Sequence, residues 1–502
     1  MIGTPTNRAV MTLLAAGLPC SVLAQGPLSE PFPAEFDLAT LDGEIGFRID
    51  GAVANDRTGR SISSAGDVNG DGLDDLVIGA VGFDAGGVSA TGAAFVVFGS
   101  SEPRDGVLNL AFLDGTDGFR LEGEFQQDYA GSSVASLGDF NGDGIDDFAI
   151  GALGYDVGSS SQVGSVYVVF GRDDGFPASL ALADLDGTNG LQIAGARSGE
   201  RADKPAGIGD INGDGIDDIA VGAFGFVSSY NRGRTYVLFG RDTTGGADPF
   251  PALLSLDEVS GSLGFKIDGE ADGDLSGFSV AGVGDLNGDG RSDFGIGAPD
   301  ASPDGLTLAG ATYVVFGRDS SSPFPDVLSL SDLDGSNGFR ATGAAFGDTC
   351  GWDVAAAGDI NADGMDDMIL GVVNGRDPTG RQQAGAAFVV FGTTGGFPAS
   401  LPLSTIDGTN GFQMRGFDRD DAVGLSVVGG HDVDGDGIDD VVIGAGGVDP
   451  DGRTNAGAAY VVFGRSTPFP AAIELETLDA DAGMTIPGLV AGDGFGRSST
   501  MA

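Results

Sequence analysis

The sequence predicts an all-β fold, a β-propeller of four-stranded blades with six complete blades and an incomplete seventh. Three observations carry that expectation. An acidic nine-residue string recurs six times, beginning at Asp67, Asp139, Asp210, Asp285, Asp359 and Asp432. The period never leaves the range of 71 to 75 residues, a register that chance acidic runs do not hold. Between the strings lie four strand-length apolar segments per repeat, bounded by Gly, Asp and Asn.

The segments follow in a fixed order. Each acidic string leads into a short run such as LVIGA at 76–80 or VVIGA at 441–445. A variable Gly-rich stretch and a second run follow, AAFVVFG at 93–99 in the first repeat. Then come a spacer, an alternating segment such as GFKIDG at 264–269, and a last run such as FSVAGVGD at 278–285. Four short strands repeated radially make a propeller, in which inner blades are covered on both faces and read as near-continuous apolar runs. A parallel β-helix has rungs far shorter than this period. No segment carries a helical apolar stripe, so helices are expected to be few and short.

The repeats divide at about 46–124, 125–195, 196–269, 270–343, 344–416 and 417–488. A partial seventh at 489–502 is expected to close the ring with residues 30–51. Residues 489–502 supply a partial inner strand and Gly46 to Gly51 an outer one, which leaves the seventh blade without its middle pair. The expectation is therefore of a truncated chain, its last blade completed by a missing C-terminal segment or, less readily, by a second polypeptide.

Residues 1–24 read as a secretion signal ahead of a propeller at 25–502. Arg8 gives the positive end, 9–18 the short apolar stretch, and Val22-Leu23-Ala24 the small residues before cleavage. Leu18-Pro19 before Cys20 fits a lipoprotein signal poorly. Cys350 is then the only mature cysteine, and no internal disulfide is available. A secreted or cell-surface location follows, with the periplasm as the other possibility.

The net charge is −50, with 74 acidic against 24 basic residues. Such a surface repels phosphate backbones and anionic lipid, so neither nucleic acid nor direct membrane insertion is expected. It attracts cations.

Within each string, positions 1, 3 and 5 carry Asp or Asn, position 6 is Gly and position 9 is Asp. Hard cations such as Ca²⁺ take six to eight oxygens, and alternate residues of a tight loop aim at one centre, with the backbone carbonyl of position 7. The expected ligands are Asp67, Asn69, Asp71, Leu73 and Asp75 in the first loop, and Asp139, Asn141, Asp143, Ile145 and Asp147 in the second. The third offers Asp210, Asn212, Asp214, Ile216 and Asp218, and the fourth Asp285, Asn287, Asp289, Arg291 and Asp293. The fifth offers Asp359, Asn361, Asp363, Met365 and Asp367, and the sixth Asp432, Asp434, Asp436, Ile438 and Asp440. About six Ca²⁺ sites result. The glycine at position 6 allows a turn with positive φ. Position 12, a bidentate Glu in EF-hands, holds Ile78, Ile150, Val221, Ile296, Leu370 and Ile443, so these are not EF-hands. Position 8 is Ser292 in the fourth loop while position 9 stays Asp293, which makes position 9 the stronger ligand. Metal-free Asx turns are the plain alternative, but crowding at least three carboxylates without a cation is repulsive. Mg²⁺ keeps more of its water and fits less well.

The order FG-x-SV, DxNGDGxDD loop and GAP-like turn, clearest in Gly277-Phe278-Ser279-Val280 and Gly297-Ala298-Pro299, resembles the FG-GAP repeat of integrin α-subunit propellers. The resemblance covers essentially residues 30–502 and reads as a bacterial secreted member. It implies a seven-bladed ring, Ca²⁺ in hairpin loops on one face and ligand binding by loops on the other. Similar repeats occur in bacterial surface proteins and in a phospholipase D specific for glycosylphosphatidylinositol. Two departures stand out. The third repeat has Asp203-Lys204-Pro205-Ala206 in place of FG-x-SV, so its inner strand is expected to be irregular. Nothing resembles an integrin's thigh or transmembrane parts.

Catalysis is not expected. His431 is the only histidine, too few for Ser-His-Asp or zinc chemistry. Trp352 and Cys350, in an inner strand, are expected to pack in the core. The Phe-Pro pairs at 250–251, 324–325 and 469–470 are expected to anchor the spacer on a blade edge. The function expected is a calcium-dependent adhesion or interaction module with an unknown protein or glycan ligand. The alternative is a carbohydrate-binding or carbohydrate-active propeller, lectin or hydrolase.

Overall fold

A computed structural model describes residues 10–14, 20–24, 32–43, 46–225, 232–246, 249–319, 321–375 and 384–501. The chain forms an all-β propeller in which each of the six repeats builds one blade. In the first blade the inner strand is Thr58–Gly66, followed by Asp75–Ala80, Ala93–Val97 and the outer strand Gly118–Glu122. All pair antiparallel with their neighbours. The second and third strands are buried at every residue, as expected of segments covered on both faces. Among the described residues the helices are three-residue 3₁₀ turns.

Blades pack closely because the second strand carries glycine where the next blade's backbone arrives. A Cβ on Gly79 would lie 2.1 Å from the Gly131 carbonyl oxygen, and one on Gly297 equally close to that of Gly351. The IGA sequence thus encodes blade spacing.

The spacer does more than cross between strands. Ser179–Ala181 of the second repeat adds to the first blade as a fifth strand, parallel to Arg120–Glu122. Four further blades gain the same addition, at Leu253–Ser255, Val327–Ser329, Ser400–Pro402 and Ala472–Glu474. The expectation of four strands per blade is thus corrected to five in these five blades, while the sixth repeat's sheet keeps four. The expected anchoring of the Phe-Pro motifs is present. Phe324 stacks on outer-strand Phe265 at 4.2 Å and Phe469 on Phe412 at 4.1 Å. Phe250 stacks on Phe140 at 4.8 Å. Arg318, Arg465 and Arg241 cap the outer faces of these rings at 4.9, 4.2 and 4.0 Å.

The ring closes between the chain's two ends. Glu35 bridges Thr485 in parallel, with Phe36 N–H donating to the Thr485 carbonyl at 2.8 Å and Thr485 N–H to that of Ala34 at 2.9 Å. Phe36 and Leu38 join Val442, Val461, Met484 and Phe495 in one core. The seventh sheet runs Ser498–Met501, Val10–Leu14, Cys20–Ala24, Phe47–Asp50 and Val107–Asn109. Its middle pair, expected to be missing, comes from the stretch that also reads as a secretion signal. The reason is length and polarity: an apolar run suited to a signal is also strand-sized, and the gap offers two rows of unpaired backbone groups.

The third inner strand corrects a further expectation. Ala202–Gly209 pairs with Asp218–Ala223 as regularly as its counterparts. In the other blades the residue aligned with Pro205 turns its N–H toward the adjacent inner strand, as Val134 does to Ser61 Oγ at 3.0 Å and Val354 to Ser279 Oγ at 3.2 Å. The inner strand is a sheet edge, so proline there removes no ladder bond. Ser133, which would have received that N–H, donates instead to the Asp203 carbonyl.

Candidate metal centres

Each acidic string is the turn between an inner and a second strand, so all six lie on one face of the propeller. Position 1 organises the turn. Asp67 Oδ1 accepts from Asp71 N–H at 2.9 Å and Oδ2 from Gly72 N–H at 2.7 Å. Asp139, Asp285, Asp359 and Asp432 repeat both bonds, and Asp210 does so at 3.1 and 2.8 Å. Position 5 accepts from position 7, as Asp71 does from Leu73 N–H at 3.0 Å and Asp436 from Ile438 N–H at 2.9 Å. Position 6 has the expected positive φ, from +84° at Gly290 to +90° at Gly215 and Gly437.

Position 4 also lies at positive φ, and in the fifth loop it is Ala362, at +57°. A Cβ is unfavourable there by about 1 kcal/mol. Ala362→Gly is therefore expected to stabilise the protein by up to about that amount, read as a raised urea midpoint; a lowered midpoint would contradict the strain.

Position 9 is the buried member. Asp75, Asp147, Asp218, Asp293, Asp367 and Asp440 are each fully buried at the start of the second strand. One oxygen of Asp75 takes the N–H of Gly99 at 2.7 Å and the other that of Val68 at 3.1 Å. Asp440 does the same with Gly464 at 2.8 Å and Val433 at 2.7 Å. Burial, then the neighbouring acidic side chains, pushes the Asp75, Asp218, Asp293, Asp367 and Asp440 carboxyls up to about 8, and Asp147 moves the same way.

A carboxylate offers four lone-pair directions, and after the backbone bonds two remain at Asp75 and one at Asp440. The sixth loop aims them at a common point: oxygens of Asp432, Asp434 and Asp440 lie within 4.8 Å of one another. Asp436 is outside that group. Among the described residues no other loop gathers three carboxylates so closely, because position 3 is elsewhere Asn. Asn141, Asn212 and Asn361 turn their amide NH₂ onto Asp147, Asp218 and Asp367 at 3.2 to 3.5 Å. A buried, partly protonated carboxyl facing other acids on an all-oxygen turn fits a hard cation.

Because these carboxyls hold protons in the folded state that the unfolded chain releases above about 4, unfolding between pH 4 and 8 liberates protons. Stability of the calcium-free protein is thus expected to fall as pH rises through that window. Thermal midpoints in chelator at pH 5 and pH 8 check the sign.

Position 8 has a role that the sequence did not reveal. Asp146 Oδ2 accepts the N–H of Asp67 in the preceding loop at 2.9 Å, and Asp217, Asp366 and Asp439 do the same for Asp139, Asp285 and Asp359 at 3.0, 2.7 and 2.9 Å. It fastens loop to loop around the ring. Only its partial exchange for Ser292 hinted that it serves something other than its own turn. His431 ends the sixth inner strand, paired with Asp440.

At the other end of the inner strands lies the central channel, about 670 Å³. Trp352, expected in the core, lines it instead, half-buried and 5.0 Å from Phe278. An inner strand has no sheet neighbour on its channel side, so its side chains there face solvent. Cys350 is fully buried, as expected.

Comparison with known proteins agrees with this architecture. The FG-GAP repeat model matches residues 58–97, 130–169, 206–238 and 423–462. Integrin alpha-5 of Xenopus laevis is 33% identical over 189 residues, 37% of this chain and 16% of that protein. Integrin alpha pat-2 of Caenorhabditis elegans is 32% identical over 250 residues, 47% and 17%. Phosphatidylinositol-glycan-specific phospholipase D of Dictyostelium discoideum is 26% identical over 341 residues, 66% and 33%. The chain thus spans a third or less of the length of these relatives.

Proposed function

From the premise that this chain is an FG-GAP-repeat β-propeller of the integrin-α type, we propose that it is a secreted or surface-displayed, calcium-loaded interaction module that binds rather than catalyses. The observation that carries this reading is the repetition of one turn, with one buried carboxyl, on a single face of all six blades. Calcium at these turns would be held by positions 1, 3, 5 and 9 and the carbonyl of position 7. Repetition argues for a structural ion, since a catalytic group is needed once. The similarity to integrin α chains and to phosphatidylinositol-glycan-specific phospholipase D supports a module that serves different larger proteins. No helix among the described residues is long and apolar enough to cross a membrane, and the leader-like residues 1–24 support export.

Loss of that leader would leave Phe47–Asp50 and Ser498–Met501 in the seventh sheet without the pair between them. N-terminal sequencing of the exported protein tests this part: a start before Val10 refutes it.

For the function itself, arrays of extracellular proteins and glycans probed in calcium and in chelator are expected to give partners that are retained only in calcium. Turnover of an array glycan, or retention indifferent to calcium, overturns the reading.

A further inference from the structure

We propose that the channel mouth opposite the acidic turns is a binding site for an acidic sugar, a pyranose carrying a uronate carboxylate. This names the ligand class for the interaction role above and rests on that reading. In a chain of net charge −50, Arg60 and Arg497 stand exposed at the equivalent point of the first and seventh inner strands, side by side around the channel. Neither has a carboxylate partner among the described residues, whereas arginines such as Arg48, Arg120, Arg340 and Arg415 do. Two guanidinium groups left free in so acidic a molecule concentrate anions at this opening, and their forked donors match a carboxylate.

The other side of the mouth is aromatic. Phe278 and Trp352 occupy the same point in the fourth and fifth strands, their rings 5.0 Å apart and inclined at 52°. Phe224 packs edge-on against Phe278 at 5.4 Å and holds it in place. A half-buried indole beside a fixed phenyl ring gives a rigid apolar wall of the kind that receives the C–H face of a pyranose.

Immediately below, with Lys204 and Asp353 at the same level, the next residue of each strand forms a floor of hydroxyls that includes Ser61, Ser279 and Ser498. Their oxygens accept N–H groups of Val134, Val354 and Ile62, at 3.0, 3.2 and 3.3 Å. Ser279 also donates to Asp353 Oδ1 at 3.1 Å, so the floor is rigid, and the hydroxyls of Ser61 and Ser498 keep hydrogen-bonding capacity for a ligand. Cation, flat apolar face and hydroxyls together select a ring that is anionic and hydroxylated. A simple aromatic acid leaves the serines unused, and a neutral sugar leaves the arginines unused. The channel's volume suits one or two sugar units.

Trp352 is the only tryptophan in the chain, so its fluorescence reports on this site alone. Galacturonate and glucuronate oligosaccharides titrated into the calcium-loaded protein are expected to change that emission saturably, and neutral glucose oligosaccharides are not. Arg60→Ala with Arg497→Ala is expected to weaken binding at least about tenfold, and added salt to weaken it in the parent only. Trp352→Phe is expected to abolish the signal while calorimetry still detects binding, and Trp352→Ala to weaken binding itself. All variants should keep the parent's calcium-dependent melting, since these side chains lie at the opposite end of the strands from the turns. A protein that melts normally in calcium yet binds no uronate at millimolar concentration overturns this site and leaves the calcium reading standing. So does equal binding of neutral sugars, binding of sulfated sugars alone, or uronate binding indifferent to both arginines.

Discussion

Removing calcium is expected to lower the thermal midpoint by about 2 to 8 °C. The size follows from mass action. A site of extracellular affinity, roughly 10⁻⁴ to 10⁻³ M, contributes about 0.4 to 1.4 kcal/mol at millimolar calcium. Six such sites give about 2 to 8 kcal/mol, comparable with the whole stability of many domains. An unfolding entropy near 1 kcal/mol/K for a chain of this length converts that to the stated shift. Among the described residues Cys350 is a free cysteine, so no disulfide at that residue shares the task. Calorimetric scans with calcium and with chelator measure the shift, and coincident midpoints would end the structural role of the ion.

The second large effect separates two adjacent aspartates. Asp440→Ala is expected to remove one calcium from the binding stoichiometry and to destabilise the protein by several kcal/mol. It deletes a member of the close oxygen triple and leaves the N–H groups of Val433, Asp434 and Gly464 without their acceptor, at about 1 to 3 kcal/mol for each that stays buried. Asp439→Ala is expected to keep the full stoichiometry. It frees only the Asp359 N–H in the neighbouring turn, a loss of about 1 kcal/mol, and its effect falls on the fifth site rather than the sixth. Calcium titration followed by urea unfolding distinguishes them; an equal drop in stoichiometry would make position 8 a ligand as well.

The features legible in the sequence were those written into every repeat. The acidic turns, the positive φ of Gly72 and its equivalents, and the strands on either side all recur at one period, so each copy checks the others. Closure by residues 30–51 was legible because Gly46 to Gly51 reads as an outer strand with no blade before it. What escaped were relations between repeats. The Asp146 to Asp67 contact joins residues 79 apart, and nothing in a single copy marks it. The fifth strand is three residues long, as in Ser179–Ala181, too short for alternation to register. Trp352 and Pro205 depart from the sequence-based expectation for one common reason. Each sits in a run that reads as an interior strand, whereas a propeller's innermost strand has an open side.

The ring's closure has a consequence in time. Ala34 and Phe36 leave the ribosome about 450 residues before Thr485, the residue they bond. At roughly 5 to 20 residues per second, the interval is on the order of 20 s to a minute and a half. Throughout it, Phe36 and Leu38, buried in the finished ring against Val461 and Met484, have nothing to cover them. These early residues of the ring wait for nearly the whole chain before they find their place, and the chain's need for a holding factor is greatest while five blades are already built.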